Sequence, residues 1–236
     1  FWMKDDHDHR INDCDTTGDR PPSSALGIAT FREQVPVPTR TWRTHRVSRE
    51  LQLWFVEGRD HRSPNGDPDG PTKTLWGPEQ LAWLKTSLLA SDVRVLLLVS
   101  PTPLVGPDDA YKRDNHTNPK GFRHEGGAFL KWVVENDLTE RFAVLCGDRH
   151  WQYHSVHPTG VQEFSCGALV DANARLGRAP GDPKSTDPDG LVRQPYVSRE
   201  ASGGFLEVVV TPADGRATLD LVFRDEQGAE LHRASR

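Results

Sequence analysis

An apolar run at residues 93–99 (VRVLLLV) constrains the fold of this chain more than any other feature. It contains almost no polar side chain, which is typical of a central strand whose two faces are both covered. Residues 78–90, just before it, predict a helix, because Pro lies in the first turn and leucines recur at helical spacing. A helix followed by a strand buried on both faces favours an α/β fold.

Further helices and strands are predicted on both sides of this run. The predicted helices are residues 24–34 and 123–136, and the predicted strands are residues 50–57, 142–146, 160–165, 205–211 and 217–223. A Pro-Ala-Asp-Gly turn at 212–215 would join the last two strands. Because alternating strands and helices precede an antiparallel section, the sequence predicts an α/β sandwich with mixed sheets. We expect residues 1–236 to form one domain, the C-terminal two-thirds of a larger one.

Composition excludes several classes of protein. The chain has 236 residues, 35% hydrophobic and 27% charged, which is typical of a folded domain with a substantial core. Its net charge of -5 and scattered basic residues disfavour a large nucleic-acid surface but not a small phosphorylated substrate. No apolar run is long enough to span a membrane. Cys14, Cys146 and Cys166 are too far apart to indicate a disulfide framework or a zinc ribbon, and the last two are expected to be buried.

The first residues indicate that natural sequence continues upstream. The chain does not begin with Met, and residues 1–3 (FWM) are typical of the end of a buried strand. No signal-peptide pattern is present, so the sequence does not assign a cellular compartment.

Polar clusters follow three of the predicted strands. They are residues 5–9 (DDHDH), residues 114–116 (DNH) and residues 147–150 (GDRH). Because ligand sites in α/β sheets gather at the carboxyl ends of strands, we expect the clusters to meet in one site. Carboxylate, amide and imidazole groups together suit metals such as iron, manganese or zinc. Two neighbouring metals would clamp a phosphoryl group and generate the attacking hydroxide.

Each cluster also has a structural interpretation. Residues 5–9 could form a solvated charged turn, residues 114–116 could cap a loop, and residues 147–150 could be a turn with a surface ion pair. His154 and His157 are expected on the surface or behind the ligands. Three clusters after three strands nevertheless favour a shared metal site over three coincidences.

At these clusters the sequence resembles the calcineurin-like metallophosphoesterases, within them the alkaline phosphatase D (PhoD-like) branch. The resemblance extends from Lys4 to about Phe223 and is carried by residues 5–8 with 12–13, 76–84 (WGPEQLAWL), 114–116 and 147–151 (GDRHW). It implies a four-layer α/β/β/α sandwich whose first strands and helix are missing here. It also implies hydrolysis of phosphate mono- or diesters with two metal ions, drawn from iron, manganese, zinc and calcium.

The resemblance assigns roles to individual residues. His7 would protonate the leaving group or stabilise the transition state. The implied metal ligands are Asp6, Asp114, His116, Asp148 and His150, where His116 or Asp114 supplies the ligand of the middle loop and His116 is slightly preferred. The implied substrate contacts are Arg62, Asn115 and Arg149, with Arg59 a further candidate. Solvation or ion pairing is an equally good interpretation of these arginines.

The sequence departs from the family pattern at its start. The superfamily opens with an Asp-x-His motif and a Gly-Asp motif whose carboxylate bridges the two metals, and neither precedes Asp5. Gly18-Asp19 comes in the wrong order to replace them. We therefore expect weak metal binding and slow turnover from these residues alone. A truncated, non-catalytic binder of metal or phosphate is the main alternative, and amide or ester hydrolysis is a third. Relatives are often exported; the substrate and the oligomeric state stay open.

Overall fold

A computed structural model describes residues 1–37, 40–213 and 216–236. The helices are α1 (Asp6–His9), α2 (Ser24–Gln34), α3 (Pro78–Leu89) and α4 (Arg123–Glu135), with short 3-10 turns at Thr139–Arg141 and Asp171–Asn173. The strands are β1 (Arg43–Arg46), β2 (Leu51–Phe55), β3 (Val95–Ser100), β4 (Phe142–Cys146), β5 (Gln152–Val156), β6 (Gln162–Cys166), β7 (Arg193–Val197), β8 (Gly204–Ala213), β9 (Arg216–Asp225) and β10 (Glu230–Ser235).

The strands form two sheets. The larger has the order β1-β2-β3-β4-β6-β5-β7, and the smaller has the order β10-β9-β8. Within the larger sheet β2, β3, β4 and β6 run parallel, whereas β1, β5 and β7 are antiparallel to their neighbours. The smaller sheet is antiparallel throughout. The predicted α/β fold with mixed sheets is confirmed.

Strand β3 is covered on both faces, as its apolar sequence predicts. Leu96 and Leu98 pack in one core cluster with side chains from α3 and α4. Val95 and Leu97 point the other way, because side chains alternate along a strand, and pack against β9. The described residues thus supply three successive layers of the predicted sandwich: helices, a seven-stranded sheet and a three-stranded sheet. None of the helices in the described ranges is long and apolar enough to cross a membrane.

Some local predictions were wrong. Residues 1–3 do not form a strand, and the polar residues after them form the short helix α1. His154 is buried rather than exposed: it lies on the unpredicted strand β5 and stacks on Phe164, with ring centroids 4.3 Å apart. Strand β5 carries polar side chains at buried positions, so it lacks the alternation that signals a strand. Of the predicted 212–215 turn, residues 214–215 lie outside the described ranges.

Glu125 on α4 joins the helical layer to two loops. It is buried, and its carboxylate accepts hydrogen bonds from the Thr74 hydroxyl and from the Leu75 amide at 2.7 Å. Its Oε2 also lies 2.9 Å from Nε2 of His116. Burial alone would raise the pKa of Glu125, but His116 and Thr74 lower it below its usual value.

We expect Glu125→Gln to destabilise the protein at neutral pH by about 1–3 kcal/mol, because buried donors lose a charged acceptor. A carboxyl whose folded pKa is lowered contributes stability above its unfolded pKa of about 4.3 and loses it as the pH falls through the folded value. Urea denaturation should therefore show a difference between the two proteins that shrinks on acidification. Glu135→Gln, an exposed change on the same helix, should have little effect at any pH. A pH-independent difference for Glu125→Gln would contradict the role of its charge.

Candidate metal centre

The central parallel strands of the large sheet end at one edge, and a polar segment follows each of them. β2 leads to Arg59, β3 leads to the loop that contains Asp114, and β4 leads to the turn that contains Asp148. Helix α1 places Asp6 beside these residues. Aspartates from all three predicted clusters thus lie together, although the first cluster follows no strand in the structure.

Five aspartates form two overlapping groups at this edge. The ligand oxygens of Asp5, Asp6 and Asp148 lie within 4.8 Å of one another, and those of Asp6, Asp13 and Asp114 do the same. Asp6 therefore belongs to both groups. Carboxylates at this spacing could share one or two cations.

The predicted ligands divide into two sets. Asp6, Asp114 and Asp148 lie in the carboxylate groups. His116 and His150 belong to neither group among the residues that the structure describes. The structure thus brings together the three predicted carboxylate ligands without the two predicted imidazoles.

Asp6 is held by backbone amides. Its two carboxylate oxygens accept hydrogen bonds from the amides of His7 and Asp13, both at 2.8 Å, and the residue is buried. Across the described ranges it makes no ion pair, unlike the other four aspartates of the groups. Asp13 and Asp148 adopt left-handed backbone angles, with φ of 53° and 62°. Such conformations are uncommon outside glycine and cluster at functional sites.

The buried guanidinium of Arg59 connects three segments. Nε lies 2.7 Å from the Asp5 carboxylate, Nη2 lies 3.0 Å from Asp114, and Nη1 donates to the Cys14 carbonyl at 2.9 Å. Burial would raise the pKa of Asp114, but Arg59 and Arg62 lower it. For Asp5 the balance is opposite: burial raises its pKa, Asp148, Asp6 and Asp114 add to the rise, and Arg59 offsets only part of it.

Arg149 is the second buried cation of the site. It forms ion pairs with Asp108 and with the neighbouring Asp148. Burial raises the pKa of Asp108 to about 6, although Arg149 opposes the shift. Asp108 also accepts a hydrogen bond from Nδ2 of Asn115 at 2.6 Å.

The three predicted substrate contacts are buried and already have partners inside the protein. Arg149 pairs with aspartates, as described above. Oδ1 of Asn115 accepts a hydrogen bond from the Thr117 amide at 3.0 Å. Arg62 donates to the Gly58 carbonyl at 2.5 Å, and burial together with Arg59 lowers the pKa of Arg62 to about 10.

The predicted histidines lie in three different environments. His7 is exposed on α1 next to Asp6. His150 is also exposed, and its Nδ1 lies 2.6 Å from the carbonyl oxygen of Asn173. Because a carbonyl only accepts, Nδ1 carries a hydrogen, and in the neutral imidazole the lone pair is then on Nε2. His116 is buried against Trp76, with ring centroids 4.5 Å apart, and its Nδ1 has no partner in the described part of the chain.

A fully buried carboxylate fixes the loop that carries Asp108 and Asp114. Glu163 on β6 accepts hydrogen bonds from the amides of Leu104, Val105 and Gly106 at 2.6, 3.0 and 2.8 Å. It also accepts the Tyr153 hydroxyl at 2.8 Å. The start of the loop after β3 is therefore anchored to the sheet.

Sequence reasoning missed three contributors to the site. Asp108 pairs with Arg149, Lys112 pairs with Asp13, and Glu163 anchors the loop. Asp108 and Lys112 lie in an irregular loop where no periodicity marks which side chains face inward. Glu163 could have been suspected, because it is an acidic residue within a predicted buried strand.

The residues present fit a bound cation. Arg59, Lys112 and Arg149 pair with Asp5, Asp114, Asp13 and Asp148. Asp6 has no such partner in the described ranges, and Oδ1 of Asp114 is buried there without a hydrogen bond. A cation at either group would offset this uncompensated charge.

We expect Arg59→Met to destabilise the protein by about 3–5 kcal/mol, because it leaves buried Asp114 without its cation. Arg40→Met is the matched control: Arg40 pairs with Glu79 at 2.8 Å, but both side chains are exposed, so its loss should cost less than about 1 kcal/mol. Urea denaturation followed by circular dichroism measures both. Equal effects would show that the buried pairs do not hold the site together.

Comparison with solved structures places the fold among phosphatases. PhoD aligns with 98% of this chain and 51% of its own, with a TM-score of 0.71 and 15% sequence identity. A purple acid phosphatase from yellow lupin (Lupinus luteus) seeds aligns with 98% of this chain and 39% of its own, with a TM-score of 0.52 and 14% identity. A dimetal phosphatase from Danio rerio has a TM-score of 0.47 and 12% identity, over 83% of this chain and 60% of its own.

These similarities concern the fold. The chain has the fold of metallophosphoesterases, and it spans about half the length of PhoD. No protein-family model matches the sequence, and no curated protein sequence does so either. The predicted fold class is thus confirmed, whereas the residue roles stay predictions.

Proposed function

We propose that this chain forms the metal-binding part of a phosphoesterase of the PhoD-like branch, which hydrolyses phosphate mono- or diesters. The position of Asp6 is the observation that carries the proposal. Asp6 belongs to both carboxylate groups, has no cationic partner in the described ranges, and lies at the strand ends of a metallophosphoesterase fold. A shared carboxylate between two groups is what a two-metal site requires.

The chemistry of the ligands favours hard cations. Both groups consist of carboxylate oxygens alone, which suit manganese or calcium better than zinc. Asp6, Asp114 and Asp148 would hold the ions, and Asp5 and Asp13 are the remaining members of the two groups. When bound, the ions would supply an activated hydroxide and neutralise charge on the phosphoryl group.

The two exposed histidines would have different roles, proton donation for His7 and metal or substrate contact for His150. His7 follows Asp6 directly and is exposed, and in this proposal it donates a proton to the leaving group. His150 presents Nε2 because Nδ1 is bound to Asn173, and Nε2 could ligate a metal or orient the substrate.

A non-catalytic binder of metal or phosphate is the second candidate. Arg59 and Arg149 already pair with Asp5, Asp114, Asp108 and Asp148, so much of the negative charge of the site has a protein partner. In that case the groups would bind ions without turnover.

Metal binding tests the centre itself. We expect the protein, dialysed against chelator, to bind Mn²⁺ or Ca²⁺ in isothermal titration, and Asp6→Asn to weaken binding at least about 10-fold, because it removes a charge from both groups. Asp19→Asn removes the same charge at an exposed position outside the groups, so it should leave binding unchanged. Equal binding by the Asp6 variant would contradict the assignment.

Hydrolysis tests the function. We expect release of nitrophenol from p-nitrophenyl phosphate or its bis ester only when the metal is present, slowly for these residues alone. His7→Ala should lower kcat by about 10²-fold or more if His7 is the general acid, with metal affinity unchanged. Metal binding without turnover would favour the non-catalytic alternative. Turnover that is insensitive to His7 would reassign the proton donor.

A further inference from the structure

The segment that contains Asn173, Arg175 and Gly177 lies directly against the end of the GDRHW turn. The Asn173 carbonyl accepts from Nδ1 of His150, and the Arg175 amide donates to the His150 carbonyl at 3.0 Å. Gly177 packs so closely that an added Cβ would lie 2.1 Å from Nε1 of Trp151. The backbone position of Arg175 is thus fixed against His150, two residues after Asp148 of the candidate centre.

Two guanidiniums lie on the ring of Trp151, and they differ in their partners. Those of Arg149 and Arg175 lie 5.5 and 5.3 Å from the ring centroid. Arg149 is buried and paired with two aspartates. The guanidinium of Arg175 is half-buried and makes no ion pair or hydrogen bond to any residue that the structure describes. Its Nε is shielded from solvent without an acceptor.

We propose that Arg175 binds the non-bridging oxygens of the substrate's phosphoryl group; the proposal rests on the proposed function. A planar guanidinium offers two parallel donors that match the geometry of a phosphate. Stacking on Trp151 restricts the side chain, so less conformational entropy is lost when an anion binds.

The other arginines of the site each pair with protein acceptors, whereas the Arg175 guanidinium has no acceptor in the described ranges. Arg59 and Arg149 neutralise buried aspartates, and Arg62 donates to Gly58 and Asn65. Nη2 of Arg62 and Nε of Arg149 are also without an acceptor in the described ranges, but both side chains are buried, whereas that of Arg175 is half-buried. Arg175 therefore adds a guanidinium with free donors to the substrate contacts that the sequence suggested, Arg62, Asn115 and Arg149, which stay predictions.

Phosphate affinity tests the proposal independently of turnover. Inorganic phosphate is titrated into the wild-type protein and into Arg175→Gln, Arg175→Lys and Arg199→Gln, all in the presence of Mn²⁺. We expect Arg175→Gln to weaken phosphate binding about 10-fold or more, and Arg175→Lys to retain part of the affinity through its charge. Arg199 is exposed and unpaired within the described ranges, so Arg199→Gln should bind as the wild type does.

Steady-state kinetics and thermal melts separate substrate binding from a structural role. In Arg175→Gln the KM for p-nitrophenyl phosphate should rise by the same factor as the phosphate Kd, with Mn²⁺ affinity and Tm unchanged. Wild-type phosphate affinity in Arg175→Gln, or no phosphate binding by the wild type, would overturn the proposal. A lower Tm in Arg175→Gln, together with an equal loss of phosphate affinity in Arg175→Lys, would also overturn it. Arg175 would then only anchor its segment. Absence of hydrolysis with normal, Arg175-dependent phosphate binding would instead refute the proposed function alone.

Discussion

The buried guanidinium of Arg59 is the contact on which the candidate centre depends most. Its partners Asp5 and Asp114 lie 54 and 55 residues away along the chain, in opposite directions. Buried carboxylates repel one another, and a guanidinium between them offsets that repulsion. Arg149 does the same for Asp108 and Asp148. The two arginines therefore hold Asp5, Asp114, Asp108 and Asp148 together in the acidic site.

The fold supplies the place where this assembly happens. Helices cover one face of the central strands, and the smaller sheet covers the other. The loops that follow these strands therefore lie at the strand ends. Because β2, β3 and β4 are parallel, the loops that follow them meet at the same edge. Glu163 then fixes the start of the loop after β3 through three successive amides. Rigid strands and a buried anchor make the positions of the aspartates reproducible.

Much of the fold was predictable from the sequence. The apolar run at 93–99 and the helix before it are observed as β3 and α3 with small shifts at their ends. Strand β5 was not predictable, because its burial between two strands overrides its polar composition. The sequence motifs identified Asp6 and Asp148 as candidate metal ligands. Their spacing did not decide whether Asp114 or His116 supplies the ligand of the middle loop. In an irregular loop, only tertiary contacts decide that Asp114 faces Arg59 while His116 faces Glu125.

The membership of Asp6 in both carboxylate groups has a consequence for how ions would be loaded. A first cation would partly neutralise the Asp6 carboxylate, which a second cation would also need as a ligand. The two ions could therefore not bind independently, even if the groups were otherwise alike. Metal would bind in two separate steps, and the affinity of each step would describe the coupled pair of groups rather than one group alone. At low metal concentration, a singly loaded form would then predominate over the doubly loaded one.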